Sequence, residues 1–217
     1  MDWSPVWISL RVASCATVLS VVIGLLVAYP LARVRFPGRD VVAGLTIVPL
    51  VLPPTVLGYA LLVACGRHST IGLIYHRLTG ADLAFTWQGA VLAACIASIP
   101  LFIGHALIAF SQVSEEVVDA ARVDGANGWI IARDIMAPLA LPGLLAGTSM
   151  AFARATGEFG ATMMFAGDDA GKTQTMPLAI YDAFMAGDVS TPRVLIPIAI
   201  AIAAFVCILT SRINYRR

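Results

Sequence analysis

Five stretches of this chain run for roughly 20 residues with almost no charge, the length a helix needs to cross the hydrocarbon core of a bilayer. They cover about 7–29, 41–65, 88–110, 141–165 and 193–211. Composition agrees: 59% of the residues are hydrophobic and 12% are charged, against about 25% charged in a soluble domain. The expected fold is an all-α integral membrane protein, a helical bundle of about five transmembrane helices. A sixth apolar stretch, 176–187, is too short to span and contains Asp182; it is expected as a short outer helix that lies at the surface or dips into the protein. The first window is too long for a secretory leader and has no basic region before it.

Orientation follows from the basic residues outside the windows. One side holds Arg33, Arg35, Arg39, Arg122, Arg133, Arg212, Arg216 and Arg217, and the other holds Arg67, Arg77, Lys172 and Arg193, eight against four. The richer side is expected in the cytoplasm, which puts the N-terminus outside and the C-terminus inside. The net charge of +1 gives no footprint for nucleic acid.

Two windows carry internal punctuation. The second contains Pro49-Leu50-Val51-Leu52-Pro53-Pro54. Proline removes a backbone donor and clashes with the preceding turn, so Pro53 and Pro54 mark either a broken helix beside a translocation path or a structural kink. The fourth begins with Gly143, Gly147, Ala151 and Ala155, a small-residue stripe that lets another helix approach closely; the partner is a helix of the same chain or of a second copy. The same window holds Arg154 and Glu158, four apart and so on one helix face. A lone Arg at mid-membrane costs roughly 2.5–3.5 kcal/mol on insertion scales, so the two are expected to neutralise each other inside the bundle or to line an anion path.

Other polar features are read as structural. Cys15, Cys65, Cys95 and Cys207 form no paired motif and fit as small packing residues. His68 and His76 fall in an outside loop and are expected to be solvated; His105 is expected to find a polar partner on a neighbouring helix, and the three lack metal-ligand spacing. Gly171-Lys172-Thr173 resembles the end of a phosphate-binding loop, but Ala166 stands where that motif needs glycine, and Asp168 and Asp169 would occupy the cradle. No metal, cofactor or catalytic cluster is implied.

The loop at about 111–140 is the most informative segment. Ser114 is a good N-cap, with Glu115 and Glu116 at the positive end of the helix dipole. A short helix through Val117, Ala120, Ala121 and Val123 follows, and Gly125 suits a left-handed stop. After the turn Gly125-Ala126-Asn127-Gly128 comes a second helical piece, 129–137, and Pro138 and Pro142 mark the return to the membrane. The whole reads as a helix-turn-helix fit to dock a soluble partner, or as an ordinary ordered loop.

Asp119-Ala120-Ala121, three residues, Gly125, nine residues, Ile135, two residues, Pro138 resembles the EAA loop of binding-protein-dependent ABC importer permeases. Six positions match at fixed spacing; aspartate replaces the usual glutamate and Ala137 a common leucine. The resemblance implies a type I importer permease fold and a coupling loop in which Glu116, Asp119, Ala120, Ala121, Gly125, Ile135 and Pro138 meet an ATPase subunit. Arg33 to Pro37-Gly38, Leu50 to Pro54, Phe85-Thr86-Trp87-Gln88-Gly89-Ala90, and Ala153-Arg154 with Gly157-Glu158-Phe159-Gly160-Ala161 are similar to the molybdate permease branch, which is related to the sulfate/thiosulfate and tungstate permeases. The implied assembly is a permease homodimer with an ABC ATPase subunit dimer and an extracytoplasmic oxyanion-binding protein, embedded in the lipid of a bacterial cytoplasmic (inner) membrane. The permease itself is then no enzyme. The competing classes are a stand-alone secondary transporter, which needs an internal repeat and buried coupling carboxylates, and a membrane enzyme, which needs polar catalytic residues at one depth. The chain displays neither pattern.

Overall fold

The computed structural model describes residues 2–215, so Arg216 and Arg217 of the charge count lie outside the described residues. All regular structure among the described residues is helical. Helix α1 (Ser4–Arg33) is capped by Asp2, whose carboxylate accepts from the Ser4 amide at 2.8 Å. Pro5 sits in its first turn, where a missing N–H leaves nothing unpaired.

The second window is made of two helices with a sharp bend between them. Helices α2 (Arg39–Val51) and α3 (Pro54–Cys65) meet at 109°. A residue before proline is pushed out of the α region. Leu52 and Pro53 both precede a proline, and their ψ angles of 140° and 133° are extended. Pro49 lies inside α2, so the consecutive prolines make the break. Helix α4 (Thr70–Thr79) follows, capped by the Ser69 hydroxyl, which accepts from the Gly72 amide at 2.9 Å. Helix α5 (Trp87–Ser111) matches the third window.

After the short helix α6 (Glu115–Val123), the fourth span is shifted from its expected place. Helix α7 (Gly128–Ile130), a π-helical stretch (Ile131–Met136) and α8 (Ala137–Thr156) form one helix of 29 residues, Gly128–Thr156. Pro138 and Pro142 therefore lie within it instead of marking its start. A proline ring collides with the carbonyl four residues back. The widened turn before Pro138, in which the Ala137 amide reaches the Ala132 carbonyl, is the local adjustment beside it. The helix stops at Gly157, and 160–166 forms a separate short helix, α9 (Gly160–Ala166). Helices α10 (Met176–Met185) and α11 (Ser190–Tyr215) complete the chain. Helix α10 is tied to α1 by the Ser9 hydroxyl, which accepts from the Met176 amide at 2.7 Å.

Helices α1, α5 and α8 form the centre. Phe102, Ile103, Ala106 and Phe110 of α5 pack with Ala28 of α1 and Ala140 and Ala151 of α8. The small-residue stripe faces α5 of the same chain: a Cβ on Gly147 would sit 2.8 Å from the His105 Cβ. Beside this trio, α3 and α9 approach almost backbone to backbone. A Cβ on Gly58 would lie 2.8 Å from the Ala161 Cα, and one on Gly160 would lie 2.8 Å from the Pro54 Cβ. By contrast α2 buries no residue, and α11 leaves Ile196, Ile200, Phe205 and Ile208 exposed. Such faces need lipid or another chain to cover them.

The α3–α9 contact has no room for a side chain at Gly58, whereas Gly44 on α2 faces open space. Gly58→Val should lower the stability of the detergent-extracted protein by about 1–3 kcal/mol, the usual cost of overpacking, while Gly44→Val leaves the thermal midpoint close to the parent's.

Candidate functional site

The loop expected to dock a partner has the anticipated local structure. The Ser114 hydroxyl accepts from the Glu116 amide at 3.2 Å and starts α6, and Glu115 and Glu116 occupy its first turn. Gly125 ends the turn with φ +87°. The Asn127 side chain then accepts from the Ile130 amide at 2.9 Å and opens the next helix. The motif residues divide by environment. Ala121 and Ile135 pack on the cluster of Phe110, Val113, Val118, Ile131 and Met136, so they weld the loop to the bundle. Glu116, Asp119 and Ala120 are exposed, and Asp119 pairs with Arg122 at 2.8 Å. Pro138 is exposed inside the long helix. Val117, Ala120 and Val123, three apart, give α6 an outward apolar stripe, and Trp129 of the next helix is 72% exposed.

The second constellation lies where the two broken segments meet. Pro53 and Pro54 end the α2–α3 break, and Gly160, at the start of α9, packs on Pro54. Arg154 and Glu158 are joined, Nη1 to Oε2, at 2.6 Å. Their geometry differs from the expected shared helix face. Arg154 is in the last turn of α8, but Glu158 lies past the helix end. The glutamate is also the cap of α9, its Oε1 accepting from the Ala161 amide at 2.8 Å. Its side chain is 1% exposed and that of Arg154 is 28% exposed. The carboxylate is thus held by a guanidinium on one oxygen and a backbone donor on the other, and the cation keeps one side open.

Other readings are settled locally. His105 Nδ1 lies 2.8 Å from the Leu101 carbonyl of its own helix, so its polar partner is not on a neighbouring one. His76 is not simply solvated: its Nδ1 is 3.0 Å from Asp82, which Arg67 also approaches at 3.7 Å. Lys172 of the decoy motif pairs with Asp169 at 2.8 Å, in a loop that follows helix α9 rather than a strand. In the same loop burial, with the nearby Asp182, pushes the Asp168 carboxyl above the ordinary carboxylate range. No group of three or more potential metal ligands occurs among the described residues. Sequence reasoning missed the glycine contacts between α3 and α9, and it used Arg33 only as one of the orienting charges and in the stretch up to Pro37-Gly38.

Comparison with known proteins is consistent over nearly the whole chain. Residues 20–216 match the family described as binding-protein-dependent transport system inner membrane component. The molybdenum transport system permease protein ModB of Escherichia coli (strain K12) is 43% identical over 180 residues, 83% of this chain and 79% of that protein. The protein of the same name from Haemophilus influenzae is 41% identical over 181 residues, with the same coverage of 83% and 79%. Among solved structures, a chain of the inward-facing MetNI methionine ABC transporter superposes with a TM-score of 0.75 over 98% of this chain and 95% of that one, at 18% identity, which speaks to the fold.

The ion pair makes a specific demand on folding. Removing one partner of a buried pair leaves an uncompensated charge, whereas replacing both with apolar groups can be nearly neutral. Arg154→Met and Glu158→Gln are each expected to reduce the amount of folded protein recovered from membranes. The double variant should recover part of that loss. It should not recover all of it, since Glu158 also caps α9. A double variant no better than the worse single would show that the two charges do not compensate each other.

Proposed function

Because the chain belongs to the family of binding-protein-dependent transport system inner membrane components, we propose that it is the membrane-spanning permease subunit of an ATP-driven importer whose cargo is molybdate. The cargo rests on one observation, the 43% identity to a molybdenum transport permease across 83% of the chain. The chain has the type I ABC importer permease fold. ATP hydrolysis belongs to a separate ATPase subunit, and an extracytoplasmic binding protein delivers the oxyanion to the loops on the far side. The loop side, with Arg33, Arg35, Arg39, Arg122 and Arg133, is cytoplasmic under the positive-inside rule. Two copies enclose the path, using faces that a single chain leaves uncovered on α2, α3, α10 and α11.

In this reading the stripe Val117, Ala120 and Val123 of α6 seats in a cleft of the ATPase, with Glu116 and Asp119 at its rim. Asp119 is already held by Arg122, so the helix surface is preformed before docking. The path runs past the break at Pro53 and Pro54 and past Arg154. The half-open guanidinium attracts an oxyanion, and Glu158 at 2.6 Å offsets most of its charge. A transit site of this kind attracts without holding, as conduction requires.

The function is tested by ATP-dependent uptake of radiolabelled molybdate into proteoliposomes carrying the permease, its ATPase and its binding protein. Unlabelled tungstate and sulfate serve as competitors. Uptake that is saturable in molybdate and untouched by excess sulfate is expected; uptake of sulfate with no uptake of molybdate would overturn the cargo assignment.

Gly125 tests the docking role. A Cβ there meets nothing within 4 Å, so the cost of substitution is conformational: φ is +87°, which a β-branched residue adopts poorly. Gly125→Val should leave membrane insertion intact, because the loop lies outside the apolar spans. It should weaken co-purification of the ATPase and lower uptake in proportion. Normal association with normal uptake would show that α6 does not dock there.

A further inference from the structure

Helix α1 ends on an arginine, Arg33. Arg33 is half-buried, and a single guanidinium nitrogen, Nη2, donates to the Phe110 carbonyl at 2.7 Å and to the Val113 carbonyl at 2.6 Å. These two acceptors bracket the link between α5 and α6. Phe110 is in the last turn of α5, and Val113 directly precedes Ser114, the cap of α6. We propose that Arg33 is a positioning residue for energy coupling, a charged clamp that fixes the coupling helix to the α1–α5 pair so that movement of one is imposed on the other.

Several observations agree on this role. The end of a helix leaves carbonyls without partners, and a cation there is favoured both by the helix dipole and by charge-assisted hydrogen bonds. Arg33 supplies that cation from a different helix, so the bonds are tertiary and not local. The same end of α1 is fastened a second time, by Tyr29 packing edge-on against Phe110 with ring centres 5.6 Å apart. On the other side of the link, Val113 and Val118 are buried in the cluster that holds Phe110. Within the link 112–114, Val113 is buried on the bundle side and its carbonyl takes a charge-assisted hydrogen bond from Arg33, while the rest of α6 is largely exposed. Arg39, at the start of α2, donates from Nε to the Leu31 carbonyl at 2.6 Å and so ties α2 to the end of α1. Without Arg33, α6 stays attached through Val118, but the lever between it and α1 loses its charge-assisted hydrogen bonds.

This proposal rests on the importer reading, and its test separates the two. In the full-length permease, hydrogen exchange of the amides at 112–118 reports the clamp without reference to transport. Arg33→Gln should accelerate exchange there by about tenfold or more, the loss expected when hydrogen bonds to a charged group are removed, while the core of α5 stays protected. In the assembled transporter the same variant should hydrolyse ATP at close to the parent rate. Its molybdate carried per ATP should fall by about fivefold or more, the lower range of allosteric coupling. Arg33→Lys, which keeps a cationic donor on a shorter side chain, should fall between. If Arg33→Gln does not accumulate, the lysine variant carries both measurements with smaller changes. Unchanged exchange at 112–118 overturns the clamp. Faster exchange with an unchanged transport-to-hydrolysis ratio overturns the coupling role. A parallel loss of hydrolysis and uptake with poor assembly would make Arg33 a stability residue only. A parent complex that hydrolyses ATP but moves no molybdate would count against the importer reading, while the exchange result still decides the clamp.

Discussion

Inside a bilayer a backbone N–H or C=O has no water to turn to, so every interruption of a helix must be satisfied by the protein itself. Much of this structure follows from two such interruptions. At Leu52 and Pro53 the problem is reduced at source, because Pro53 and Pro54 have no N–H to leave unpaired. Between α8 and α9 there is no proline, and a carboxylate answers instead: Glu158 accepts from the Ala161 amide. A carboxylate is well placed at a helix N-terminus, but a buried one needs a counter-charge, and Arg154 provides it at 2.6 Å. The ion pair is thus a consequence of the helix break, not an independent pair on one helix face.

Glycine completes the arrangement. The two breaks could not meet if α3 and α9 carried side chains at Gly58 and Gly160, since added carbons would collide with backbone at Ala161 and with Pro54. Small residues are how membrane helices gain contact in the absence of a hydrophobic drive between them. The same logic sets α8 on α5, where Gly143 and Gly147 lie against Ala109, His105 and Phe102.

The length and apolarity of the windows made the bundle legible from the residues, and proline made the second window's break legible as well. The angle of that break was not, because two prolines fix local φ and ψ but not how α3 then packs. Pro138 and Pro142 misled, since proline in sequence reads as a helix boundary and a π turn that admits it leaves no plain compositional sign. The fourth window misled in the opposite way. Residues 159–166 are apolar enough to extend it, and the signs of a stop, Gly157 and Gly160 flanking a charge, were weaker than that run. For the loop at 111–140 the caps and the positive φ at Gly125 were readable, because capping is local chemistry. The division of its motif into packing residues, Ala121 and Ile135, and exposed ones, Glu116, Asp119 and Ala120, needed the fold. So did Arg33, whose acceptors are about 80 positions away in the chain.

Helix α5 reaches both regions. Its Phe102, Ile103 and Phe110 belong to the cluster that includes Val118 of α6, and its Ala93 and Ala97 belong to the cluster that includes Leu57 of α3 and Phe165 of α9. Ala97 and Phe110 are about 20 Å apart along a helix at 1.5 Å per residue. The side-chain sizes suit these positions: alanines where two short helices must close in, phenylalanines where a larger space is filled. Between the clusters lies Pro100, which leaves the Ile96 carbonyl without its helical donor, and nearby Ser98 turns its hydroxyl to the Cys95 carbonyl and to Ser20 of α1. The helix is therefore braced against α1 just where proline weakens it. Packed cores shift between discrete arrangements and do not deform smoothly. If an ATPase displaces α6, the cluster around Phe110 moves as a body, and α5 carries that movement toward the contact of α3 and α9. The contact there is tight at Gly58 and Gly160 and packed by Leu57 and Phe165 beside them, so a displacement at the loop would reach it as a change in how the two broken segments meet.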